Sequence, residues 1–151
     1  MEFDELYQEL ILDHYKHPRR KRAIPEGEAL VDEENPVCGD HIRLFWRVEE
    51  GRLRDVAFDG HGCAISMASA SMMAERLEGA DVETARRLIE AFIGMLRGER
   101  APSDEAMGDL LALEGVREFP MRIKCATLAW HAAEKALNRA QASSLARASG
   151  S

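Results

Sequence analysis

An α+β fold, a small three-stranded antiparallel sheet with helices packed on one face, follows from three features of this 151-residue sequence. Residues 42–48 place Ile42, Leu44, Trp46 and Val48 on one face at a period of two, and residues 52–59 alternate more weakly across a Glu49-Glu50-Gly51 turn. Apolar residues recur at helical spacing on both sides of that hairpin. The elements come in the order helix, sheet, helices, with no internal repeat. One domain over residues 1–141 is therefore expected, followed by a Ser/Ala-rich tail, 142–151, that composition assigns to disorder.

Phe3, Leu6, Leu10, Ile11 and His14 share one face of a helix over 4–16, and Pro18 stops it. Arg19-Arg20-Lys21-Arg22 follows in a loop. It reads first as a solvated charge run and second as a docking patch for an acidic partner. Residues 29–33 supply a short first strand. After the hairpin, Ala64 to Leu77 form a helix of small residues and methionines closed by Gly79, with Met67, Met72 and Met73 as core filler. Asp81 caps the next helix, whose buried stripe is Val82, Ala85, Leu88, Ile89, Phe92, Ile93 and Leu96, and Gly98 ends it. Residues 99–120 are looser, with Pro102, a Ser103 cap, and one weak helix carrying Met107, Leu110 and Leu111 before Gly115 and Pro120. The last helix spans 121–141, started by Pro120, with Ala126, Ala129, Trp130, Ala133 and Leu137 inward.

Composition narrows the function. With 46% hydrophobic and 31% charged residues the chain can bury a core without disulfide staples. Its net charge of −7 disfavours nonspecific binding to nucleic acid or to an anionic membrane. No apolar run approaches a membrane span, and residues 1–16 lack the layout of a signal peptide, so a cytoplasmic protein is expected. Three cysteines in that setting point to metal or thiol chemistry rather than structural disulfides.

Cys38 and Cys63 are equidistant from the Glu50–Gly51 step, so an antiparallel hairpin brings them out side by side at its open end. Glycines flank both, and Cys63 directly precedes a helix, where free N–H groups favour thiolate. Cys125, in the first turns of the last helix, reads by itself as a small buried hydrophobe. Three thiolates need one more ligand to close a tetrahedron around zinc or iron. Asp40, His41 and His61 lie near the open end. Asp40 is favoured because residues i and i+2 share a face in extended chain, while both histidines read as exposed. His14, His17 and His131 read as surface or packing residues. A Cys/His hydrolase fits poorly, since it needs one thiol with a positioned histidine rather than three clustered thiols.

Asn35-Pro-Val-Cys38-Gly-Asp40, Gly60-His-Gly-Cys63-Ala-Ile-Ser-Met-Ala-Ser69 and Arg122-Ile-Lys-Cys125-Ala-Thr-Leu128 resemble the three motifs of the U-type iron–sulfur assembly proteins. The resemblance runs from Leu12-Asp-His-Tyr15 to Lys135. The long Cys63–Cys125 gap, and Lys124 where the IscU branch carries a histidine, make the chain similar to the SufU branch. The resemblance implies a SufE/IscU-like α+β fold and a zinc site made by Cys38, Asp40, Cys63 and Cys125. It implies a sulfurtransferase-like task rather than a stand-alone enzyme: accepting persulfide sulfur from a SufS-type pyridoxal-phosphate cysteine desulfurase and passing it to a SufB-type assembly complex. A protein monomeric on its own is expected. Cys38, on a loop beyond a strand, is the expected sulfur acceptor because it can swing out with least disruption. Three thiolates and a carboxylate outweigh the charge of a zinc ion, and Arg122 and Lys124 either offset the surplus or are ordinary solvated cations. Two other functions stay open. One is a scaffold for a [2Fe–2S] cluster on the same cysteines, with Asp40 as fourth or labile ligand; the other is a structural zinc module without thiol chemistry.

Overall fold

The alternating hairpin is the frame on which the other elements lie. In the computed structural model, residues 5–21, 31–35, 39–99 and 107–149 are described, with side chains for 9–21, 31–35, 39–99 and 107–139. Strands β2 (Asp40–Glu49) and β3 (Arg52–His61) pair antiparallel through Glu49↔Arg52. Glu50 (φ 53°) and Gly51 (φ 74°) are both left-handed, the backbone of a two-residue turn whose twist matches the strands. The register then slips. Val48↔Leu53 and Arg47↔Arg54 hold, but Phe45 pairs with Ala57 and His41 with His61, so Trp46 faces both Asp55 and Val56. Asp55 takes a left-handed φ of 52° to make this bulge. By sequence count Gly39, not Cys38, therefore falls level with Cys63.

Asp40, Ile42, Leu44 and Trp46 point inward and are buried, as alternation requires. Val48 does not follow them and is 45% exposed, because the bulge adds twist and turns the hairpin tip away. Strand β1 (Val31–Asn35) pairs with β2 from Val31↔Leu44 to Asn35↔Asp40, giving the order β1-β2-β3. It lies two residues later than the expected 29–33, of which 29 and 30 fall outside the described residues. Phe3, Arg22, Cys38, Pro102 and Ser103 also lie outside them.

Helix α1 (Glu5–Lys16) ends before Pro18 and packs on α2 (Ala64–Leu77). Buried Met67, Ala68, Ala70, Met72, Met73, Ala74 and Leu77 make α2 the centre of the core, and small residues let its neighbours approach closely. Helix α3 (Val82–Leu96) starts where Asp81 accepts the Thr84 N–H at 2.7 Å, a bond that holds the Asp81 carboxyl below its usual range. Gly98, at φ 76°, ends it. Residues Gly108–Glu118 wind as a 3-10 segment rather than an α-helix, starting from a left-handed Gly108 and running through Gly115, yet bury Leu110, Leu113 and Val116.

Helix α4 (Pro120–Ser149) buries Ala126, Ala129, Trp130, Ala133 and Leu137, and Trp130 stacks on Phe92 with centroids 4.2 Å apart. Its backbone continues through 142–149, where composition predicted a tail, because the alanines there are strong helix formers. No helix among the described residues is long and apolar enough to cross a membrane.

Candidate metal centre

Asp40 opens β2 on its inward face, which buries the carboxylate almost completely. Its Oδ1 accepts the Cys63 N–H at 2.9 Å, while its buried Oδ2 has no hydrogen-bond partner. An unpaired buried acceptor costs on the order of 1–3 kcal/mol, more when charged, so Oδ2 calls for a cation. The loop after β3 can lie against Asp40 only because two residues lack side chains. A Cβ on Gly62 would stand 2.5 Å from Asp40 Oδ1, and one on Gly60 2.0 Å from the His41 carbonyl oxygen.

Cys63 is the N-cap of α2, its Sγ accepting the Ser66 N–H at 3.4 Å. A cap position places the sulfur at the positive end of the helix, beside its free backbone N–H groups. Cys125, fully buried in α4, comes to the same point. The ligand atoms of Asp40, Cys63 and Cys125 all lie within 4.8 Å of one another. Ligands about 2.3 Å from a tetrahedral ion stand roughly 3.8 Å apart, so small side-chain rotations close this group on a metal. Two thiolates and a carboxylate suit zinc or iron. Cys38 lies outside the described residues, two positions before Asp40 in sequence.

Of the two cations expected beside the sulfurs, the structure brings in one. The Arg122 guanidinium is pushed still higher in pKa, first by the charge of Cys63, then by a hydrogen bond to Cys63, then by Cys125. Beside it a cavity of about 500 Å³ opens on Cys63, lined also by Ala64, Ile65, Val116 and Phe119. Lys124 lines a different cleft, with Asn35, Arg97 and His131. The histidines do not join the group. His41 and His61 are cross-strand partners with ring centroids 5.6 Å apart, and His41 Nε2 pairs with Asp32.

The basic loop is tied to the body of the protein. Arg19 pairs with Asp13 at 2.6 Å and with Glu75 at 3.9 Å, and Arg20 pairs with Glu78. The Arg20 carbonyl accepts the Phe58 N–H at 3.0 Å, and Lys21 bridges to Phe58. Arg22 lies outside the described residues. Arg19 holds the Asp13 carboxyl below its usual range, chiefly by hydrogen bonding, and burial pushes the His14 imidazole down. Sequence reasoning missed Asn35 as a neighbour of the site. It is buried, with Nδ2 4.0 Å from Cys125 Sγ, and its place just before the first motif's proline was the only available signal.

Comparison with known proteins adds a family. Residues 6–143 match the model of the NifU-like N-terminal domain. The chain is 47% identical over 132 residues to the zinc-dependent sulfurtransferase SufU of Bacillus subtilis, covering 87% of this chain and 89% of that one. It is 40% identical over 136 residues to the iron–sulfur cluster assembly scaffold protein IscU of Streptococcus pyogenes, covering 90% and 85%. Among solved structures, a candidate iron–sulfur cluster assembly scaffold protein for the SUF system from Fervidobacterium islandicum superposes with a TM-score of 0.81 at 31% identity, over 88% of this chain and 97% of that one.

Proposed function

We infer the function from a settled premise: the chain belongs to the NifU-like N-terminal domain family. It is an iron–sulfur cluster assembly protein of the SufU kind, a zinc-dependent partner that accepts persulfide sulfur from a pyridoxal-phosphate cysteine desulfurase and passes it to the SUF assembly machinery. The observation that carries this reading is the buried, unpartnered Asp40 Oδ2 grouped with two thiols. Cys38, Asp40, Cys63 and Cys125 would hold the zinc, and residues 1–141 would act as one cytoplasmic domain, monomeric alone. Zinc supplies a thiol kept deprotonated at neutral pH without redox activity of its own.

The chain's own groups do the rest. The Cys38 thiolate attacks the terminal sulfur of the donor's persulfide. A new S–S bond forms at Cys38, the donor's S–S bond breaks, and its electron pair leaves with the donor cysteine as thiolate. Sulfur changes hands with no net oxidation. Asp40 Oδ1 holds the Cys63 loop through the Cys63 N–H, and Arg122 offsets negative charge as the anionic persulfide arrives. The test is desulfurase turnover with thiol reductant. Cys38→Ser should bring it to background, and mass spectrometry should place the added sulfur on the Cys38 peptide. Sulfur found mainly on Cys125 would reverse the assignment.

The 40% identity to an IscU scaffold favours a second reading, a [2Fe–2S] cluster assembled on the same cysteines. Anaerobic incubation with iron and sulfide decides between the two. A cluster retained through desalting supports the scaffold, and its loss with zinc retained supports sulfur transfer.

A further inference from the structure

A second cleft, of about 430 Å³, lies between the end of β1 and α4, lined by Glu34, Asn35, Arg97, Ile123, Lys124 and Leu128 among others. Neither Arg97 nor Lys124 has an ion-pair partner among the described residues; Arg52, Arg54 and Lys21 have none either, but Arg97 and Lys124 share this cleft. On a chain of net charge −7, the two cations of this cleft outnumber its one carboxylate, Glu34, and leave the cleft locally positive. The floor between them is apolar, made by Pro120, Ile123 and Leu128. A free phosphate has no use for such a floor, and a purely apolar segment has none for the cations. An extended peptide carrying both carboxylates and apolar side chains uses both.

Asn35 connects the cleft to the chemistry. It lines the cleft, its Nδ2 lies 4.0 Å from Cys125 Sγ, and its carbonyl accepts the Gly39 N–H at 2.9 Å, one residue after Cys38. An occupant of the cleft therefore touches the residue that meets two of the three cysteine-bearing segments. We propose that this cleft receives an acidic, extended segment of the protein that donates the sulfur, holding the donor against the metal centre. This rests on the sulfur-transfer reading above, and it moves the site of charge recognition from the Arg19–Arg22 loop to Arg97 and Lys124.

The test uses the zinc-loaded full chain and two fluorescein-labelled decapeptides, one alternating Glu and Leu, the other Lys and Leu. The acidic peptide should bind, more weakly as salt rises. Arg97→Glu/Lys124→Glu should weaken it at least about tenfold and make the basic peptide the better ligand. Zinc content and melting temperature report folding, and Arg97→Gln/Lys124→Gln carries the same test if the reversed pair fails to fold. Equal binding of the acidic peptide to wild type and variant overturns the proposal. So does its complete displacement by millimolar inorganic phosphate, which marks a small-anion site. So does a dimer of the wild type that the substitution dissolves, since the occupant is then a second copy.

Titration into a cysteine desulfurase separates the two levels. A half-saturating concentration raised about tenfold in the variant, with a smaller rise for Arg19→Gln/Arg20→Gln, supports the cleft. An unchanged value overturns the cleft and leaves sulfur transfer standing. Absence of stimulation by the wild type itself overturns sulfur transfer, while the peptide arm still reads the cleft.

Discussion

Helix α2 carries two kinds of polar site within a few turns. In its middle every polar group is answered. Ser69 donates its hydroxyl to the Ala126 carbonyl at 2.6 Å and accepts the Trp130 indole N–H at 2.9 Å. Ser71 Oγ meets His14 Nδ1 and the Arg19 N–H, each at 2.8 Å. One turn before Ser69, the hydroxyl of buried Ser66 has no partner, and neither has Asp40 Oδ2 beside the helix start. Both sites are buried, so exposure cannot explain the difference. Groups that hydrogen-bond each other hold helices together, whereas groups left unanswered at similar depth are reserved for something that arrives.

The contrast breaks most visibly at the sulfurs. Cys63→Ser or Cys125→Ser should strip zinc from the protein as isolated, read as metal per chain, because a hydroxyl is a poor substitute for thiolate. Zinc retained in full by both would move the site elsewhere. In the answered region the effect is on the fold alone. Trp130→Ala should cost about 3–5 kcal/mol in denaturant unfolding, with or without metal, since it deletes a buried ring stacked on Phe92. Ser69→Ala should cost about 1–3 kcal/mol by leaving the Trp130 N–H unpaired. A metal-dependent change in either value would mean that the two sites are coupled.

The smallest effect concerns pH. Burial lowers the folded pKa of His14 below its unfolded 6.5, so the unfolded chain takes up that proton first. His14's contribution is thus fully present above about pH 6.5 and declines as pH falls through the folded value. His14→Gln should flatten that part of the stability–pH curve, and an unchanged slope would assign it to other groups.

Much of the unanswered site was legible in advance. Alternation favoured Asp40 as sharing a face with Cys38 and left His41 and His61 exposed, and the glycines beside Cys63 allowed the backbone to turn closely there. The bulge was not legible. It hangs on a left-handed Asp55, a conformation that an Asp-Val pair does not advertise, and it shifts the Cys38–Cys63 pairing by one residue and frees Val48. Arg97 had no local signal either, because tertiary packing of α3 against α4 brings it near Lys124. The basic loop was prominent in sequence for its density. In the fold, Asp13 of α1 pairs with Arg19, and Glu78, the residue after α2, pairs with Arg20.

The most direct test of the reserved site is the sign of one substitution. Asp40→Ala should leave the metal-free protein within about 1 kcal/mol of wild type, because removing the unpaired Oδ2 offsets the lost bond to the Cys63 N–H. In excess zinc the same variant should fall clearly below wild type, since bound metal adds stability in proportion to the logarithm of its affinity. Equal destabilisation with and without zinc would make Asp40 a structural carboxylate and contradict the account.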